Sequence, residues 1–273
     1  MTNANTVDGE KTGGTFRNAL SPPRPSSVSV AVVLAAGLGS RLRAVQEKPK
    51  GFVEIGGEPI IARSVRALQR AGVSEFVFVV GWHAEVYRAW GATGCPGATF
   101  VDNAAYATTG SLCSLLLGAA AVPGRNLVVV ESDLLYEQRA PDLLLAAPDA
   151  DTVLTSGFTA SGDEVWAYER APRQLGRLTK QRAAGAAPAG ELVGLTRMSA
   201  GLVADLVAAA RTLPASAHYE DGLNAAAETR PIALLPVPDL AWCEIDDPAH
   251  LARAQQTVWP RIAAADTATA SRS

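Results

Sequence analysis

Gly37, Gly39, Arg41 and Lys50 stand close behind the most hydrophobic stretch of the 273-residue chain, in "VVLAAGLGSRLRAVQEKPKGF" (32–52). Glycines after a buried strand let the backbone approach a ligand and turn free amide N–H groups toward an anion. Arg41 and Lys50 add positive charge at the same place. The loop is not a dinucleotide G-x-G-x-x-G, because residue 42 is leucine, and it lacks the Gly-Lys-Ser/Thr ending of a phosphate loop. The plain alternative is a tight strand-to-helix turn with solvated basic residues. Carboxylates complete the set of reactive groups. Asp133 closes the hydrophobic run of "VVVESDLLYE", and Glu244 and Asp246 in "WCEIDDPAHL" lie two apart, on one face of a strand. The alternatives are a strand-end or helix-capping carboxylate for Asp133 and a solvated face for the pair. Asp247 reads as the cap of a helix that starts at Pro248.

The elements that must position these groups alternate along the chain. Strands are expected at 27–36, 75–81, 126–133, 151–157 and 232–237, and helices at 59–72, 83–90, 140–148, 199–211, about 219–228 and 248–259. Unbroken Val and Leu runs imply strands covered on both faces, hence a mostly parallel sheet. Shorter strand-like pieces from about 160 to 198 read as a β-rich insertion over one side. The expected fold is a doubly wound α/β domain spanning 28–261, with a disordered arm at 1–27 and a disordered tail at 262–273. In such sheets ligands bind beyond the carboxyl ends of the strands, which is where the glycine loop falls.

Composition narrows the classes. Apolar residues make up 48% and charged residues 19% of the chain, enough for a sizeable core. A net charge of −3 argues against a general nucleic-acid or anionic-membrane surface. Three cysteines without metal-like spacing fit a reduced compartment, and no apolar segment reaches membrane-spanning length, so a cytoplasmic protein is expected.

The string Leu34-Ala35-Ala36-Gly37-Leu38-Gly39-Ser40-Arg41-Leu42, with Pro49-Lys50 and Glu54-Ile55-Gly56-Gly57 behind it, resembles the signature of the nucleotidyltransferase superfamily. The resemblance implies that the loop cradles a nucleoside triphosphate, with Arg41 and Lys50 neutralising charge on the departing pyrophosphate. It also implies Mg²⁺ held by Asp133, Glu244 and Asp246. "DNAAYATTGSLCSLLLGA" (102–119) resembles the base-reading segment of the phosphocholine and 2-aminoethylphosphonate cytidylyltransferase branch. This makes CTP the expected nucleotide and Thr109, Gly110, Ser111 and Ser114 its base-side contacts; helix capping by Thr109 or Ser111 is the alternative.

In the phosphocholine relatives an aromatic and an acidic residue hold the acceptor's amine. "SGDEVWAYE" and "AHYEDGLN" offer Asp163, Glu164 and Trp166, and Tyr219, Glu220 and Asp221. Trp166 as packing and "YED" as a helix opening are the alternatives. Lys180 in "RLTKQR" is expected near the transferred phosphorus, with a solvated lysine on a turn as the alternative. "ESDLLYE" and "SGDEVW" resemble cytidylyltransferases of phosphonate metabolism more than the choline enzymes. A phosphonoformate enzyme would need a further cation, for which Arg177, Lys180 and Arg197 are available.

The expected activity is transfer of CMP to a small phosphonate such as 2-aminoethylphosphonate, hydroxyethylphosphonate or phosphonoformate. A phosphocholine cytidylyltransferase, a sugar-1-phosphate nucleotidylyltransferase and a CTP-sensing module without turnover are the alternatives. A dehydrogenase is disfavoured, since the ribose-holding acid would fall at Ile60-Ile61, and neither is an acid. Expected partners are CTP and a small phosphonate or phosphate, with a homodimer allowed for and no nucleic acid or membrane.

Overall fold

The computed structural model describes residues 28–42 and 46–270. The arm expected at 1–27 lies outside the described residues. In chain order the elements begin with β1 (Val30–Ala35), the hairpin β2 (Glu54–Ile55) and β3 (Glu58–Pro59), α1 (Ile60–Arg70), β4 (Glu75–Val80) and α2 (Ala84–Gly94). Next come β5 (Thr99–Asp102), α3 (Ser111–Ala120), β6 (Leu127–Glu131), β7 (Leu134–Tyr136), α4 (Arg139–Ala146) and β8 (Thr152–Ser156). The second half holds β9 (Trp166–Ala171), β10 (Gln174–Thr179), β11 (Gly190–Met198), α5 (Ala200–Ala209), α6 (Tyr219–Ala227) and β12 (Ala233–Val237). β13 (Trp242–Glu244), α7 (Pro248–Arg253) and α8 (Trp259–Ala270) close the chain.

Valine-rich strands form one sheet in the order β5-β4-β1-β6-β11-β8-β12-β10-β9. Every residue of β1 is buried, and alternate side chains feed opposite cores. Ala31, Val33 and Ala35 pack with α1, α2 and α4, while Val30, Val32 and Leu34 pack with α3, α5 and α6. This is the doubly wound α/β class. Its parallel pairing is confined to β5-β4-β1-β6 and to β8-β12.

The β-rich segment does not lie over one side. β11 enters the sheet antiparallel between β6 and β8, and β10 and β9 extend the far edge. β9 also bonds back to β11, closing that end on itself. The segment is drawn in because every residue of β11 is buried, and β11 finds partners only inside the sheet.

The C-terminal expectation is also corrected. α8 continues the chain as helix to Ala270, and Asp266 accepts hydrogen bonds from Arg63 and from the Gln138 N–H. Alanine-rich sequence of high helix propensity, docked by one carboxylate, outweighs its polar composition. Among the described residues no helix is long and apolar enough to cross a membrane.

Candidate active site

β1 and β6 run side by side, so the loop after Ala35 and the acidic end of β6 emerge together. Leu34 pairs with Glu131, and the Ser132 N–H donates to the Leu34 carbonyl at 3.1 Å. β13 then pairs with β7, setting Glu244 opposite Leu134, while the Ile245 N–H donates to the Asp133 carbonyl at 3.0 Å. The result is a cleft of about 400 Å³ beyond the carboxyl ends of the parallel strands. Leu34, Ala35, Ala36, Gly37, Arg41 and Lys50 line it, as the sequence predicts. Gly39 and Ser40 do not. Gly39 instead takes a left-handed φ of 58° that turns the loop over the Lys50 stem.

The cations are already paired. Lys50 Nζ donates to Asp133 at 2.9 Å and to Asp246, and Arg41 donates to Asp246 at 2.8 Å and to Asp163 at 3.0 Å. Burial alone would lower the Lys50 pKa, but Asp133 and Asp246 outweigh it and hold the ammonium charged, above its ordinary range. The same ion pairs keep the buried Asp246 carboxyl below its usual range against the pull of burial.

Asp246, expected from sequence beside Asp133 and Glu244, is held by Lys50 and Arg41, and the tight group of carboxylates is Glu131, Asp133 and Glu244, with oxygens within 4.8 Å of one another. Burial, and next the neighbouring Asp133, pushes the Glu131 and Glu244 carboxyls well above the carboxylate range. Neither has a basic partner in an ion pair among the described residues. Crowded carboxylate oxygens, with Lys50 as counter-charge to Asp133 alone, fit a hard divalent cation such as Mg²⁺, which would relieve both the burial and the mutual repulsion. Sequence reading missed Glu131, although a single acid closing a run of buried valines was a signal.

Thr109, Gly110, Ser111 and Ser114 all line the cleft. They are organised by Asn103, a buried residue that sequence reading did not single out. Its Nδ2 donates to Thr109 Oγ1 at 3.0 Å and to Ser114 Oγ at 3.1 Å. The cap of α3 is Gly110, and neither Thr109 nor Ser111 serves as its side-chain cap. Ser111 Oγ instead accepts from the Tyr219 N–H at 3.0 Å, tying α3 to the start of α6. A Cβ on Gly110 would sit 2.1 Å from the Ala217 carbonyl oxygen. Gly110→Ala should therefore cost about 2 kcal/mol of stability, the scale of overpacking, and weaken nucleotide binding. Urea denaturation and a CTP titration check both; unchanged stability would show that this backbone yields.

The expected acceptor residues separate. Lys180 and Glu220 line the cleft; Trp166, Tyr219 and Asp221 do not. Trp166 packs against Phe158, and the Arg182 guanidinium covers its ring at 4.7 Å, so its face is taken by the chain's own cation. Tyr219 is fully buried in the α3–α5–α6 core. Asp221 accepts from the His218 N–H at 2.9 Å as the capping box of α6. Among the described residues one buried Glu220 carboxylate oxygen finds no hydrogen-bond partner, and burial raises its pKa. Asp247 caps α7 by accepting from the His250 N–H at 2.8 Å, as its position implied.

A glycine loop with two cations, facing strand-end carboxylates at the edge of a doubly wound sheet, is the arrangement of a nucleotidyltransferase. The chain belongs to that class through the family of MobA-like NTP transferase domains, which it matches over residues 31–193. It is 32% identical over 244 residues to the CMP-5'-(3-aminopropyl)phosphonate synthase of Streptomyces rubellomurinus, an alignment covering 82% of this chain and 38% of that protein. It is 27% identical over 106 residues to the 2-aminoethylphosphonate cytidylyltransferase of Lancefieldella rimae, covering 38% and 43% of the two chains. The matches thus span about two fifths of the length of these relatives. The inositol-1-phosphate CTP transferase from T. maritima shares the fold with a TM-score of 0.73 at 19% identity, covering 88% of this chain and 96% of that one.

Proposed function

We propose that the protein transfers CMP from CTP to a phosphonate oxygen of a small aminoalkylphosphonate, releasing pyrophosphate. The observation that carries the reading is the meeting of Arg41 and Lys50 with the Glu131–Asp133–Glu244 cluster in one cleft. The acceptor oxyanion is a nucleophile at neutral pH, so no general base is needed. It attacks the α-phosphorus, and the bond to the bridging oxygen breaks with its electron pair on pyrophosphate. Arg41 and Lys50 take up the charge of the departing group, and Lys180, which shares Asp163 with Arg41 and lines the cleft, faces the transferred phosphoryl. Glu131, Asp133 and Glu244 would hold Mg²⁺, which when bound supplies charge neutralisation between the phosphate groups.

The amine is favoured on the acceptor side. Of the three cations considered for a second anionic group, Arg197 is buried, donating to the Leu145 and Ala147 carbonyls, and Arg177 does not line the cleft. Lys180, paired with Asp163 at 2.7 Å, is the cation already assigned to the transferred phosphoryl. Glu220, with its unpaired oxygen, offers a carboxylate to an ammonium instead. With Trp166 covered by Arg182, a primary amine is a better fit than the quaternary amine of phosphocholine. CTP as donor is supported by the names of the two phosphonate relatives.

The test is pyrophosphate release with each of the four nucleoside triphosphates. The acceptors are 2-aminoethylphosphonate, 3-aminopropylphosphonate, hydroxyethylphosphonate, phosphonoformate, phosphocholine and glucose 1-phosphate. Turnover should be highest with CTP and an aminoalkylphosphonate. Activity with the sugar phosphate alone would overturn the acceptor class, and tight CTP binding without any product would favour a sensing module.

A further inference from the structure

Six side chains form an unbroken line of alternating charge along the cleft: Lys180, Asp163, Arg41, Asp246, Lys50 and Asp133. Its members are unequally held. Among the described residues Lys50 and Arg41 each have two carboxylate partners, whereas Lys180 at the open end has one, Asp163. The Lys180 side chain is 59% exposed, on a stem of four rotatable bonds, so little besides that carboxylate restrains it.

Asp163 itself is anchored. Its loop is laced to the scaffold by the Thr159 N–H and hydroxyl, which both donate to Glu191 at 2.8 Å. The Thr159 carbonyl accepts from Arg253 at 3.0 Å, and the Ser161 carbonyl lies 3.2 Å from His250 Nε2. Between these anchors Ala160 takes a left-handed φ of 54°, a conformation such ties can hold in place. The two oxygens of Asp163 divide the work: Oδ2 accepts from Arg41 and Oδ1 from Lys180.

We propose that Asp163 is a positioning residue: it draws Lys180 against Arg41 and so fixes the third cation where the incoming acceptor oxyanion meets the α-phosphoryl group. Without the carboxylate between them the two cations repel, and Lys180 must be recruited anew in each turnover. Arg41 keeps Asp246 in either case, so the effect falls on Lys180. The proposal rests on the reading above only in placing Lys180 at the reacting phosphoryl.

The experiment is a double-mutant cycle of Asp163→Asn and Lys180→Ala, measured with whichever nucleotide–acceptor pair the wild-type enzyme turns over. Asp163→Asn should lower kcat by about 30-fold and leave the Kd for CTP within about threefold, because ordering at the reacting centre is lost while the triphosphate grip remains. The double variant should be no slower than Lys180→Ala beyond about threefold, the mark of residues acting as one unit. Independently of turnover, Lys180 in Asp163→Asn should be acylated by an amine-reactive reagent about 10-fold faster at neutral pH, as an ammonium released from its partner loses its proton more readily. Losses that multiply, an unchanged kcat, or an unchanged rate of acylation would each overturn the proposal. Failure of the acceptor reading shows differently, as a wild-type enzyme inactive toward aminoalkylphosphonates.

Discussion

Lys50→Ala should lower turnover by about 100-fold or more, because charge building on the departing pyrophosphate loses its nearest partner. The effect exceeds the loss of one contact. Lys50 lies between Asp133 and Asp246 and neutralises both, so its removal leaves two carboxylates facing each other in a half-buried place. Breaking such a pair from one side costs stability, and the variant should melt below the wild type. Melting in the presence of CTP then separates the two consequences. A folded variant that CTP no longer stabilises has lost the triphosphate grip. Turnover within a few-fold of the wild type, in protein with a cooperative melting transition, would remove Lys50 from the mechanism.

Asp133→Asn should abolish most Mg²⁺-dependent activity, a loss of about 100-fold or more, since transition-state charge goes without its counter-ion. Asparagine keeps the shape and changes only the charge. The apo protein should not melt lower, because a like charge leaves the crowded surroundings of Glu131 and Glu244, and Lys50 still has Asp246. The stabilisation that Mg²⁺ confers on the wild type should disappear in the variant, which gives a readout apart from turnover. If activity and Mg²⁺ dependence both survive, Asp133 is a strand-end residue with a structural task and the metal lies elsewhere.

Removing the metal altogether should reproduce the second result. Excess EDTA is expected to halt pyrophosphate release and added Mg²⁺ to restore it, since the crowded oxygens of Glu131, Asp133 and Glu244 are the ligands a divalent cation would take. Full activity in EDTA would overturn the metal assignment.

Features governed by local pattern are legible along the chain. Strands such as β1, β4, β6 and β8 are legible because unbroken valine and leucine runs can only be buried strands of this length. The glycine loop, Arg41 and Lys50 are legible because a backbone that must approach an anion restricts its residue types over a short span. Asp133 follows from standing just past the end of such a strand, and Asp247 from its place before Pro248.

What the tertiary structure decided are choices among distant partners, which no local period encodes. Of Glu244 and Asp246, the antiparallel pairing of β13 with β7 gives the first to the carboxylate cluster and leaves the second to Lys50 and Arg41. Glu131 joins that cluster because β6 ends beside β1. Trp166 loses its expected task to the stacked Arg182, and Tyr219 to the core that α6 forms with α3 and α5. β11 is buried on both faces like the parallel strands, so its pattern could not reveal that it runs the other way between β6 and β8. Burial acts on each side chain separately and leaves its mark in the sequence; charge pairing and strand order depend on which segments meet, and are fixed only when the chain closes on itself.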